Sequence, residues 1–256
     1  MNFHYIIGTH SIIEAISNPK RTIEKIFATE KGWAEIKKKL KRDDLAKTEG
    51  KLEVLTPHNF QERGKEIYKE NDFNYSRIPG GVLLVCGKIP LLSADEIYQS
   101  LKAGKKKIVI LDQVTDIQNA GAILRTASFY NIDVLILPLK NSITLNPSFF
   151  RIASGASEHI PLHFCSNISK MIKKLQGKDV ACIGLSEHAT KTLEENLEDI
   201  GDQSVCLVLG AEDKGLSNAV EFCIERKGKL NSFGKMKSLN VSVASAISME
   251  KVFGVI

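Results

Sequence analysis

Short apolar runs separated by polar turns set the rhythm of this chain, and long amphipathic stretches are few. Thr9 or Ser11 stands where it can cap a helix carrying Ile12, Ile13 and Ile16; Ile23 to Ala28 reads as a short strand and Gly32 to Arg42 as a basic amphipathic helix. Leu52 to Leu55 predicts another strand. Pro57 opens a helix-like stretch to about Gly64, and Pro79-Gly80-Gly81 turns the chain into the buried strand Val82 to Cys86. Between Pro90 and Gly104, with Ser93 as cap, lies a connecting helix. The pattern then becomes strand (Ile108 to Leu111), polar loop (Asp112 to Gln118), helix (Asn119 to Tyr130) and strand (Asp133 to Leu137). A helix at Ile168 to Leu175 and apolar runs at Val180 to Leu185 and Val205 to Leu209 continue it. Continuous apolar strands alternating with helices predict an α/β fold with a mostly parallel sheet.

A length of 256 residues exceeds the usual single domain of about 100–150 residues. The expected division is a compact α/β domain at 1–88, a linker at 89–104 and a second α/β domain at 105–256. Composition narrows the class: 43% hydrophobic and 25% charged residues are ordinary globular usage. No run approaches the roughly 20 apolar residues of a membrane span, and the start lacks a basic region ahead of an apolar one. A cytoplasmic protein without membrane attachment is expected. Cysteines 86, 165, 182, 206 and 223 are odd in number and mostly set in apolar runs, which suits reduced core thiols. No CxxC pair occurs, and His159 and His163 flank Pro161, which disfavours a helical ligand pair, so no metal site is expected. The formal charge of +5 is uneven, with +4 in residues 1–88 and +1 in the rest. That excess suits a polyanion such as RNA, although Lys37 to Arg42 reads equally well as a solvated helix face.

Three segments carry candidate chemistry, all in the second domain. Leu111-Asp112-Gln113-Val114-Thr115-Asp116-Ile117-Gln118-Asn119-Ala120-Gly121 leads from a strand into a helix bearing Arg125, with Asn119 as a candidate cap and Arg125 as a candidate phosphate-binding fork. Leu209-Gly210-Ala211-Glu212-Asp213-Lys214-Gly215-Leu216-Ser217 frames a carboxylate with glycines at a strand end, where open α/β sheets bind ligands. Met236-Lys237-Ser238-Leu239-Asn240-Val241-Ser242 precedes a helix whose first turns are small residues, and Ser238 or Asn240 can cap it.

In this order and spacing the three segments resemble the signature motifs of the SpoU family within the SPOUT methyltransferases. Tyr5-Ile6-Ile7-Gly8-Thr9-His10-Ser11 and Gly80-Gly81-Val82 resemble the opening and end of that family's L30e-like RNA substrate-binding domain. Among the family, the two-domain enzymes that methylate a guanosine ribose in 23S ribosomal RNA are the most similar. The resemblance implies a C-terminal SPOUT domain with a deep trefoil knot, a homodimer whose active site draws on both subunits, and S-adenosylmethionine as methyl donor to a ribose 2′-hydroxyl. It also assigns residues. Asn119 and Arg125 would address the hydroxyl and neighbouring phosphate, Glu212 would order the site, and Ser238 and Asn240 would hold the reacting groups. Gly210, Leu230 and Leu239 would bind the cofactor, chiefly through main-chain groups. A guanidinium does not give up its proton in proteins, so a phosphate-anchoring role fits Arg125 better than that of a base. The family's Ile-Pro-Met before a glycine is replaced here by Leu230-Asn231-Ser232-Phe233-Gly234, and losing the proline implies a looser cofactor loop. Ile117 and Ala120 replace a common Pro and Leu.

Other readings are a transfer-RNA ribose methyltransferase and an RNA-binding relative without catalysis. Keeping Asn119, Arg125, Glu212, Ser238 and Asn240 together argues for catalysis. A metabolic oxidoreductase is disfavoured because no G-x-G-x-x-G occurs.

Overall fold

A computed structural model describes residues 3–140, 143–236 and 238–254; Lys237 of the third motif lies outside them. The chain divides into two compact units, residues 1–90 with 144–159, and residues 91–143 with 160–256.

The first unit begins with β1 (Phe3–Ile7), α1 (Thr9–Ser17), β2 (Ile23–Thr29), α2 (Glu30–Lys37), α3 (Arg42–Ala46), β3 (Leu52–Leu55), α4 (Pro57–Glu70) and β4 (Val82–Gly87). Its four-stranded sheet has the order β1-β4-β2-β3, in which β4 is antiparallel to both neighbours and β2 runs parallel to β3. Gly8, at φ +91°, is the N-cap of α1 and has no side chain to cap with, so Thr9 and Ser11 both lie inside the helix, where the Ser11 hydroxyl donates to the Phe150 carbonyl at 2.6 Å. The single helix expected over 32–42 is two. Thr29 caps α2 by accepting from Gly32 N at 3.0 Å, and the chain turns after Lys37 so that Leu40 is buried while Lys38, Lys39 and Lys41 stay exposed.

The second unit starts with α5 (Ala94–Ser100), whose Ser93 and Glu96 form the reciprocal cap. Next come β5 (Lys107–Leu111), α6 (Ile117–Phe129) and β6 (Val134–Pro138). The chain then contributes α7 (Pro147–Ala153) to the first unit and resumes with β7 (Leu162–Cys165), α8 (Ile168–Gln176), β8 (Val180–Leu185), β9 (Ser204–Leu209), α9 (Asn218–Cys223), β10 (Arg226–Gly228) and α10 (Val241–Phe253). The six-stranded sheet runs β10-β8-β9-β5-β6-β7 with every pair parallel. Its central strands are buried on both faces, which is why they are apolar at consecutive positions.

Segment 144–159 is held within the first unit by a buried charge cluster. Arg21 grips Glu158 with two parallel bonds, Nε to Oε2 at 2.8 Å and Nη2 to Oε1 at 2.7 Å, and neither side chain is exposed beyond 1%. Arg21 Nη1 also reaches the Gly87 carbonyl at 2.5 Å and His4 Nδ1 at 3.0 Å, and Asn18 donates to Glu158 at 2.8 Å. Burial, reinforced by the Arg21 and Lys88 charges, pushes the His4 imidazole down to about 3.

Among the described residues no helix is long and apolar enough to cross a membrane, and no group of three or more His, Cys, Asp or Glu is placed to hold a metal ion. The five cysteines are unbridged; Cys182 and Cys206 face each other across β8 and β9.

Candidate active site

Parallel strands deliver their carboxyl ends to one edge of the sheet, and the site is assembled from the loops that leave there. Leu111 of β5 pairs with Leu209 of β9, so Asp112 and Gly210 emerge side by side. Outward on the same edge, Gly184 of β8 pairs with Val208, and Leu185 with Gly228 of β10.

Gly210 has to be glycine. A Cβ there would lie 2.2 Å from the Gly215 carbonyl carbon, 2.3 Å from its oxygen and 2.4 Å from Leu216 N, all backbone atoms. The loop closes on itself because Ala211 N donates to Gly215 O and Gly215 N to Ala211 O, both at 2.9 Å. Gly215 supplies the left-handed turn at φ +65°. Leu216 is buried, and the Ser217 amide donates to Asp112 Oδ2 at 2.6 Å. Asp112, only 5% exposed, is a site-building residue to which sequence reasoning assigns no role. Its only signal is a carboxylate placed directly after an apolar strand.

This closed loop presents Glu212 outward. Its Oε2 accepts from Asn240 Nδ2 at 3.2 Å and, at a long 3.5 Å, from Asn119 Nδ2, while Asn240 Nδ2 also donates to Asn119 Oδ1 at 3.0 Å. Asn240 caps α10 through its other atom: Oδ1 accepts from Ser242 N at 2.9 Å and from the Ser242 hydroxyl at 2.6 Å. The capping bond thus orients the amide so that its NH₂ faces the carboxylate. Asn119 is not the cap of α6. Asp116 takes that position, accepting from Gln118 N at 2.6 Å, and α6 starts at Ile117, which leaves the Asn119 side chain available to Glu212 and Asn240.

Beside Glu212 lies a cavity of about 480 Å³ lined by the strand-end loops at 185–188, 210–216 and 230–233, with Met236, Ser238 and Leu239 closing it. Its volume falls within the range of small-molecule sites, about 300–1,000 Å³. Among the described residues, apolar walls from Leu185, Leu216, Leu230 and Leu239 are combined with the carboxylates Glu187, Glu212 and Asp213, with Glu221, which is paired to Lys227 at 2.6 Å, and with Lys214. Such a lining suits a flat apolar group that carries positive charge.

Of the eight site residues expected from the sequence, Gly210, Glu212, Leu230, Ser238 and Leu239 line this cavity. Asn119 and Asn240 join it through Glu212. Arg125 does not. It follows Asn119 by six residues on one helix, which places it roughly 120° around the axis and about 9 Å along it. There it is exposed, with no hydrogen bond or ion pair among the described residues.

A family model described as the SpoU rRNA Methylase family matches residues 106–250, more than half of the chain and all three loop motifs. The chain belongs to this family. A curated relative from Staphylococcus aureus, named a putative TrmH family tRNA/rRNA methyltransferase, is 35% identical over 155 residues, covering 60% of this chain and 61% of the relative. The alignment thus spans under two thirds of that protein. A similarly named protein from Staphylococcus haemolyticus is 30% identical over 253 residues, covering 97% of this chain and 94% of the relative. The Pseudomonas aeruginosa protein named 23S rRNA (guanosine-2′-O-)-methyltransferase RlmB is 36% identical over 149 residues, 58% of this chain and 59% of its own length. Among solved structures, the SpoU methyltransferase AviRb of Streptomyces viridochromogenes, in complex with AdoMet, superposes with a TM-score of 0.74. That match covers 99% of this chain and 90% of AviRb at 18% identity, so it speaks for the fold.

Proposed function

We propose that the protein is an S-adenosylmethionine-dependent RNA methyltransferase that modifies a ribose 2′-hydroxyl, with a guanosine of 23S rRNA as the target. One observation carries this reading: the second and third motifs line one cavity, and the Asn119–Glu212–Asn240 cluster ties the first motif to its edge. The acidic, leucine-walled lining fits a cationic nucleoside. S-adenosylmethionine held there would supply an electrophilic methyl group for the ribose oxygen, its sulfonium becoming a neutral thioether.

Main-chain groups around Gly210, Leu230 and Leu239 hold the donor. Glu212, braced by two amides, orders the loop, and Ser238 faces the cavity where the ribose enters. Positioning contributes most of the rate, since a ribose hydroxyl is a poor nucleophile that must be held in line. The Glu212 carboxylate is already engaged by the Asn119 and Asn240 amides and a guanidinium keeps its protons, so the released proton goes to water or to an RNA phosphate.

Arg125 belongs, in this reading, to a site shared between subunits. One turn beyond it α6 exposes Phe129, and α10, packed on α6, exposes Val243 and Ile247. This apolar face supports a homodimer in which Arg125 of the partner subunit anchors the RNA phosphate beside the cavity. The deep trefoil knot belongs to this reading as what the family resemblance implies. The basic excess of residues 1–88 supports an L30e-like RNA-binding role for the first domain, whose folded unit also takes in 144–159, and a catalytic role for the second, which takes in most of the expected linker at 89–104 as well as the rest of 105–256. A cytoplasmic location follows from ribosomal RNA as substrate.

Mapping ribose methylation across ribosomal and transfer RNA, in cells with and without the protein, tests the assignment. The expected result is one guanosine in 23S rRNA that loses its 2′-O-methyl group. A lost transfer-RNA methyl group would favour the substrate class named for the Staphylococcus relatives. An unchanged map, with no heat of S-adenosylmethionine binding, would reject methyl transfer.

A further inference from the structure

The segment between β10 and α10 forms one wall of the cavity through Leu230, Asn231, Ser232, Phe233 and Met236, yet its described residues form neither helix nor strand and its sequence holds no proline to stiffen it. Its ends are fastened, by Lys229 N donating to Lys191 O at 3.0 Å and by Asn240 capping α10. Between those ends, among the described residues, a single side chain makes every hydrogen bond. The Ser232 hydroxyl donates to the Met236 carbonyl at 2.6 Å and lies 3.5 Å from the Gly234 carbonyl. Phe233, inside this small ring, is 97% exposed, so apolar packing does not hold the loop either.

We infer that Ser232 is a positioning residue for the donor site: its hydroxyl clasps residues 232–236 into the shape that meets the ligand, the function a proline would serve by restricting the backbone. The inference rests on the S-adenosylmethionine reading above. A loop left open must lose conformational freedom when a ligand arrives, and pre-ordering removes that cost from the binding equilibrium. Serine suits the task because its short side chain bonds main-chain carbonyls a few residues away. Losing one such bond corresponds to roughly a two- to tenfold change in affinity.

The test compares full-length parent, Ser232→Ala and Ser232→Thr, using two readouts. In calorimetric titration with S-adenosylmethionine, Ser232→Ala should bind roughly two- to tenfold more weakly, while Ser232→Thr, which keeps the hydroxyl, stays with the parent. In turnover the same loss should appear in KM for S-adenosylmethionine, with kcat and KM for RNA unchanged. Hydrogen exchange of the amides at 232–236 in unliganded protein should be faster in Ser232→Ala only. Parent-like affinity and exchange in Ser232→Ala would overturn the clasp, as would an equal loss in Ser232→Thr. A parent that binds no S-adenosylmethionine would sink the functional reading alone, because the exchange experiment still judges the clasp.

Discussion

Replacing Gly210 by alanine tests the loop on which the cavity is built. The added methyl would sit 2.2–2.4 Å from three backbone atoms of Gly215 and Leu216. Reaching ordinary contact at 3.4 Å requires that backbone to recede by roughly 1.2 Å, and no side-chain rotation can absorb the shift. Gly210 does not have a positive φ, so the penalty is steric and not conformational. Overpacking of this kind costs about 1–3 kcal/mol. The shift also stretches the paired 2.9 Å bonds of Ala211 and Gly215 and carries Glu212 away from Asn240 at 3.2 Å. With about 2 kcal/mol of that lost specifically from the bound state, affinity for S-adenosylmethionine should fall about 30-fold. Titration calorimetry reads the affinity, and urea unfolding reads the global cost. Gly177→Ala, at the end of α8 where the backbone is right-handed helical and the nearest atom to a new Cβ is 3.4 Å away, serves as control: affinity should stay parental and stability should rise by about 0.4–1 kcal/mol. A Gly210→Ala protein with parental affinity would refute the claim that this close backbone contact shapes the cavity.

Acid stability should depend on His4. Its folded value, about 3, lies below the ordinary 6.5, so between those limits the unfolded chain binds the extra proton and stability falls as pH drops. From about pH 7 to about pH 4.5 the parent should lose about 2–3 kcal/mol more than His4→Gln in urea unfolding, and equal losses would disprove the linkage. Glu158→Ala strands the Arg21 guanidinium in the interior of the first unit and should cost about 3–5 kcal/mol. A midpoint change worth less than about 1 kcal/mol would mean that the cluster is not a fastening for 144–159. Asp112→Ala leaves the Ser217 amide without its 2.6 Å acceptor and should cost about 1–3 kcal/mol, most of it restored in Asp112→Asn, as read by thermal unfolding. Equal damage in both variants would show that the charge matters more than the acceptor geometry.

Apolar runs such as Val180 to Leu185 are strands in the sheet, since a run buried on both faces needs no partner to declare itself. The loop motifs were equally open to reading, because a glycine or a cap residue states a local backbone demand. Gly210, Glu212 and Asn240 do meet at one cavity edge. Residues whose work depends on a distant partner escaped. Asp112 acquires its role only when β5 and β9 become neighbours, about a hundred residues apart in the chain, and segment 144–159 is fastened by Arg21 through a bond that no periodicity encodes. Ser11 lost the capping position to Gly8 and bonds the Phe150 carbonyl from inside α1, and Asn119 lost it to Asp116 and so became free to meet Glu212. Local pattern therefore specified the longer apolar strands and the ligand loops, but not short elements such as β1, α7, β7 and β10. Which polar groups pair was settled by folding, because hydrogen-bond partners are chosen by proximity in space and a buried donor accepts whatever acceptor the packing brings to it.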